Sequence, residues 1–139
     1  MTRFVLDASV SLSWFLDQPV APYAVQVRRA LLGGARAAVP ALWQLEMANG
    51  FAVAERRGIL SAADADASLV QIRQLLSGVI EGEADFVPLQ DAFQAARSSG
   101  LSAYDAAYLQ MARRHSLPLA TLDSQLRAAA ACVGVAMFR

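Results

Sequence analysis

Apolar residues fall into two kinds of run along this chain. Short blocks rich in β-formers, bounded by turn residues, predict buried strands at Arg3–Leu6, Ala37–Val39 and Pro118–Leu122. Weaker blocks predict a third strand at Asp85–Leu89 and a last short one at Gly134–Phe138. Longer segments with helical spacing of apolar positions separate them. They run over Val10–Leu16, Tyr23–Leu32, Ala41–Arg57, from Ser61 to about Leu76, Asp91–Arg97, from Ser102 to about His115, and Asp123–Ala131. Pro19, Pro22 and Pro40 break segments, and Gly33-Gly34, Gly58 and Gly100 close helices. Ser61 and Ser102 are N-caps, each with an Asp three residues on, in the capping-box position. Strand and helix alternate, which argues for an α/β fold with a parallel sheet covered on both faces.

Composition narrows this reading. The chain has 139 residues, the size of one domain, taken as 1–139. Fifty-six percent of them are apolar, too many for a disordered chain. Twelve acidic residues balance twelve basic ones, so no net field steers the protein to nucleic acid or to a membrane surface. All twelve basic residues are Arg. A lone Cys132 excludes a disulfide scaffold and favours a reducing, cytoplasmic location. No signal peptide is visible, because Asp7 interrupts the first apolar run. The longest uncharged apolar run, Ala128–Phe138, is too short to span a bilayer.

The chemistry lies with four acids. Asp7 and Asp123 each follow a buried strand, and Asp105 opens a helix. In an open parallel sheet, ligands bind beyond the carboxyl ends of the strands. Each Asp is equally an N-cap or capping-box residue. Asp105 shares its helix face with Tyr108, Leu109 and Ala112, so it points toward the core side, where it needs a donor or a cation. Glu46 sits mid-helix and caps nothing; Leu42, Trp43, Asn49 and Gly50 share its face. Asn49 is placed to orient its carboxylate. Gly50 costs about 1 kcal/mol against Ala inside a helix, which implies a close approach there. If the four acids converge, their mutual repulsion calls for a hard cation, Mg²⁺ or Mn²⁺ in its place. One His and one Cys are too few for a zinc site, and they exclude Ser-His-Asp or Cys-His catalysis. His115, beside Arg113-Arg114, reads as a helix-dipole partner.

Asp7 after the first strand, the Glu46–Asn49 helix, Leu101-Ser-Ala-Tyr-Asp-Ala-Ala-Tyr and Pro118-Leu-Ala-Thr-Leu-Asp123 resemble, in order and spacing, a PIN domain. More narrowly they resemble the VapC toxins of bacterial type II toxin–antitoxin pairs. The resemblance covers essentially the whole length. It implies a three-layer α/β/α sandwich around a parallel sheet of about five strands. It implies a Mg²⁺-dependent endoribonuclease whose metal ligands and catalytic residues match Asp7, Glu46, Asp105 and Asp123. Ser9, Asn49 and Thr121 match positions that support such a site. Family members sometimes carry a further acid just after the Asp123 position; Ser124 and Gln125 stand here. The resemblance also implies a VapB-like antitoxin partner and a homodimer.

An RNA backbone needs cations near the acids. Arg28-Arg29 and Arg56-Arg57 are the leading pairs; Arg113-Arg114, Arg97 and Arg127 are further candidates. Apolar residues in excess of one helix face at Val20–Val27 and Leu42–Val53 point to a partner surface. Rival folds fit less well. A receiver domain needs a Lys that is absent, and a haloacid-dehalogenase-like phosphatase needs an Asp where Ser9 stands. A DNA 5′-nuclease of similar fold needs helical elements for which there is no room. A PIN-like module without catalysis, acting by binding alone, is the remaining alternative.

Overall fold

The computed structural model describes residues 2–139. Four strands form one sheet: β1 (Arg3–Leu6), β2 (Arg36–Val39), β3 (Ile80–Gly82) and β4 (Leu119–Ala120). Their order is β3-β2-β1-β4, and every pairing is parallel. The helices are α1 (Ala8–Leu16), α2 (Pro22–Leu32), α3 (Leu42–Arg56), α4 (Ala62–Gly78), α5 (Leu89–Ser99), α6 (Ala103–His115) and α7 (Ser124–Cys132). Parallel neighbours need crossover connections, and the helices that supply them cover both faces, making a three-layer α/β/α sandwich.

Central β1 is apolar because it is covered on both faces: Phe4, Val5 and Leu6 are all fully buried. Phe4 stacks on Phe138 with ring centroids 3.9 Å apart, which ties the last turn of chain to the sheet. Trp43, Met47 and Phe51 bury one face of α3, and Tyr108, Leu109, Met111 and Ala112 bury that of α6.

Two strand expectations are corrected. The third strand is Ile80–Gly82 rather than Asp85–Leu89, where Phe86 is 61% exposed and the chain runs as a loop into α5. A full strand at Gly134–Phe138 does not form; its remnant is a single parallel bridge, Leu119 to Met137. The sheet therefore has four strands where five were expected. The expectation at Gly50 holds. A Cβ there would meet Leu12 Cδ2 at 2.6 Å, so α1 approaches α3 at this residue.

Candidate functional site

The carboxyl ends of the strands carry the acids. Leu6 pairs with Ala120, and the Asp7 N–H donates to the Ala120 carbonyl at 3.0 Å. That register sets Asp7 beside Thr121, 114 residues away in sequence. Asp7 occupies the N-cap position of α1, yet its side chain makes no capping bond. Instead Oδ2 accepts two hydroxyls, from Ser9 at 2.6 Å and from Thr121 at 2.8 Å. Backbone amides fix the direction of both. Leu122 N–H donates to Ser9 Oγ and Asp123 N–H to Thr121 Oγ1, each at 3.0 Å. With their acceptor positions engaged, both hydroxyls turn their protons to one oxygen, and Oδ1 accepts no side-chain bond among the described residues.

Asp123 behaves differently. Its Oδ1 caps α7, accepting from Gln125 N–H at 2.8 Å and Leu126 N–H at 3.1 Å. Asp105 lies in the first turn of α6, where its N–H donates to Ser102 Oγ at 3.1 Å. The reciprocal bond, from the Ser102 N–H to the carboxylate, is absent among the described residues, so this is half a capping box. The Asp105 side chain is partly buried and faces the other acids electrostatically.

Glu46 is held from an unexpected side. The buried Tyr108 hydroxyl, on α6, donates to Glu46 Oε1 at 2.5 Å. Asn49 is exposed and makes no hydrogen bond to Glu46 among the described residues, which corrects its expected orienting role. Tyr108 had been placed on the apolar face of its helix. The signal in the sequence was its chemistry: a buried Tyr usually finds a partner for its hydroxyl.

The electrostatics link all four acids. Burial raises the Asp7 carboxyl above its ordinary value; the Ser9 and Thr121 hydroxyls oppose that rise, and the Asp123 charge adds to it. Burial also raises Glu46, against the Tyr108 hydroxyl, with Asp7 and Asp105 adding to the rise. Asp105 is raised by burial and then by Asp7 and Asp123. Among the described residues, no three His, Cys, Asp or Glu side chains stand closely enough to hold a metal ion jointly.

The arginines lie further out. Arg28 lines a separate cavity with Trp14, Leu31, Gln71 and Leu75, and Arg29 is exposed in the last turn of α2. Arg56 and Arg57 end α3, ten and eleven residues beyond Glu46 and so about 15 Å along the axis. Arg127 is the basic residue tied to the site: it donates to the Thr121 carbonyl at 2.9 Å. A cleft of about 530 Å³ opens from Glu46 and Asn49 along Leu45, Phe86 and Tyr104. Exposed Leu45, Phe86 and Tyr104 line it, whereas Ala24, Val27 and Leu31 of α2 are buried in the core. No helix among the described residues is long and apolar enough to cross a membrane.

Comparison with known proteins agrees with this architecture. The chain is similar in structure to PAE2754 from Pyrobaculum aerophilum, with a TM-score of 0.64 and 22% identity over 92% of this chain and 84% of that one. It is similar to FitAcB from Neisseria gonorrhoeae, with a TM-score of 0.61 and 22% identity over 98% and 96%. A domain of a functionally unknown protein from Methanocaldococcus jannaschii gives 0.59 and 16%, over 99% and 90%. No curated protein sequence matches the chain. The PIN domain family model matches residues 4–131. With β2, β3, β4, all but the first residue of β1, all four acids and the supporting hydroxyls inside that span, the chain belongs to the PIN domain family.

Proposed function

We propose that this protein, a single PIN domain over 1–139, is a metal-dependent endoribonuclease and the toxin of a VapBC-like toxin–antitoxin pair in the cytoplasm. The observation that carries the reading is Asp7. A buried carboxylate is expensive unless something compensates it, and here both hydroxyls are spent on Oδ2 while no side chain donates to Oδ1 among the described residues. Membership of the family and the likeness to FitAcB support the toxin assignment.

The donor set suits Mg²⁺, with Mn²⁺ as a substitute: all oxygen, four carboxylates, three of them raised chiefly by burial with neighbouring acids adding to the rise. Asp7 and Asp105 are the leading ligands; Glu46 and Asp123 complete the set, directly or through water. Mg²⁺ usually retains several waters and takes only one or two carboxylates, which accommodates acids spaced more widely than a closed cage. When bound, the ion supplies an acidified water and neutralises charge on the phosphate. The residues of the chain do the rest. Ser9 and Thr121 hold Asp7 in one orientation, and Arg127 braces the Thr121 turn from behind. Arg28, Arg29, Arg56 and Arg57 would meet phosphates of the RNA well beyond the scissile one. The cleft beside Glu46 offers the antitoxin an apolar seat.

Asp7→Asn keeps the hydroxyl acceptor and removes the charge. Its expected outcome is loss of Mg²⁺-dependent cleavage of labelled RNA by a protein that still unfolds in one cooperative transition. Wild-type protein that cuts neither RNA nor DNA across a Mg²⁺ titration would leave the non-catalytic binding module as the correct reading.

A further inference from the structure

Tyr108 is fully buried, so its hydroxyl has no water to fall back on. Its partner, Glu46 Oε1 at 2.5 Å, lies 62 residues away on another helix. Substantial packing joins α6 to α5, α7, β1 and β4, and α3 to α1 and α4, but does not join α3 to α6. The phenol therefore links two helices whose backbones make few contacts with each other. Glu46 has a long, flexible side chain on a half-exposed helix face, and no other hydrogen bond restrains it among the described residues. Oε1 is taken, and Oε2 accepts no hydrogen bond among the described residues. Asp105 lies one turn before Tyr108 on α6, so one rigid helix places one acid and restrains another.

From this arrangement we infer that Tyr108 is a positioning residue, acting through Glu46 to fix the orientation of a metal-ligating carboxylate. The inference rests on the reading of Glu46 as a ligand. Hydrogen-bond donors behind a ligating carboxylate typically change metal affinity by 10- to 100-fold when removed. Here the donor comes from the same helix as Asp105, so the two acids are set relative to each other before any ion arrives.

The test is a double-mutant cycle read by calorimetric titration of Mn²⁺ into the full chain. Tyr108→Phe keeps the ring that packs the core and deletes one oxygen. It is expected to weaken Mn²⁺ binding by about tenfold or more in the wild-type background. In a Glu46→Gln background, where the ligand charge is already gone, the same change is expected to alter affinity less than twofold. Thermal melts of all four proteins report the fold separately. A Tyr108→Phe protein that binds Mn²⁺ like wild type overturns the inference and leaves the proposed function standing. So does an equal loss in both backgrounds, which marks Tyr108 as structural only. Wild-type protein that binds no Mn²⁺ overturns this inference and the proposed metal dependence together.

Discussion

At Asp7, burial and hydroxyl donation pull in opposite directions. Burial favours the protonated carboxyl, and the two hydroxyls favour the carboxylate. Burial leads in the metal-free protein, at Asp7 as at Glu46 and Asp105. A carboxyl held above its unfolded value binds more protons when folded, so it contributes stability at and below the ordinary carboxyl range and loses it as pH rises through the raised value. Melts in EDTA are therefore expected to show these three acids costing stability toward neutral pH, and added Mg²⁺ to reduce the cost. Asp7→Asn, neutral throughout, is expected to melt above wild type at about pH 7.5 without metal and to lose that advantage near pH 4. Thr121→Val removes a buried hydroxyl that both donates to Asp7 and accepts from Asp123; a loss of about 1–3 kcal/mol by denaturant titration is expected. Much of this was legible. The acids at the strand ends are read from their spacing, and Ser9 and Thr121 from the family resemblance. The tie between Tyr108 and Glu46 was not, because nothing in local spacing relates a residue of one helix to a residue 62 positions earlier. Asn49 was credited in its place for sharing a helix face with Glu46, but sharing a face does not bring two side chains into contact.

Among the elements, α7 and α3 give the sharpest tests. Asp123 has two roles that separate by substitution. Asp123→Ala removes the α7 cap and is expected to cost about 1 kcal/mol, whereas Asp123→Asn keeps a capping oxygen and costs little. Both are expected to lower cleavage, since both remove the charge; cleavage retained by the Asn variant alone would reduce Asp123 to a cap. Gly50→Ala gains about 1 kcal/mol of helix propensity but drives a methyl into Leu12, so a net loss of about 1 kcal/mol is expected. In a Leu12→Ala background the same change should turn stabilising, as measured by a denaturant cycle. The strand expectation failed at β3. In Ile80–Gly82 only Ile80 is buried, too little for an apolar pattern to show, while Phe86 and Val87 form an apolar run that stays in a loop. Helices came through with ends within a few residues, because capping Ser and closing Gly are local signals.

For the molecule as a whole, the open question is association. Leu45, Phe86, Leu89, Phe93 and Tyr104 are each more than half exposed, and they are contributed by α3, the loop before α5, α5 and α6. Surface of this kind marks a partner site more often than an ordinary monomer face. The homodimer implied by the family resemblance is checked by light scattering of the purified chain at micromolar concentration; a mass near 14.8 kDa would refute it.

The bond from Thr121 to Asp7 also bears on synthesis. Asp7 gains one of its two hydroxyl partners only after a further 114 residues have been translated. Until then a nascent chain holds the acid without that brace. Chains released early, at residue 117, are expected to lack divalent-ion binding, and full-length chains to acquire it on release.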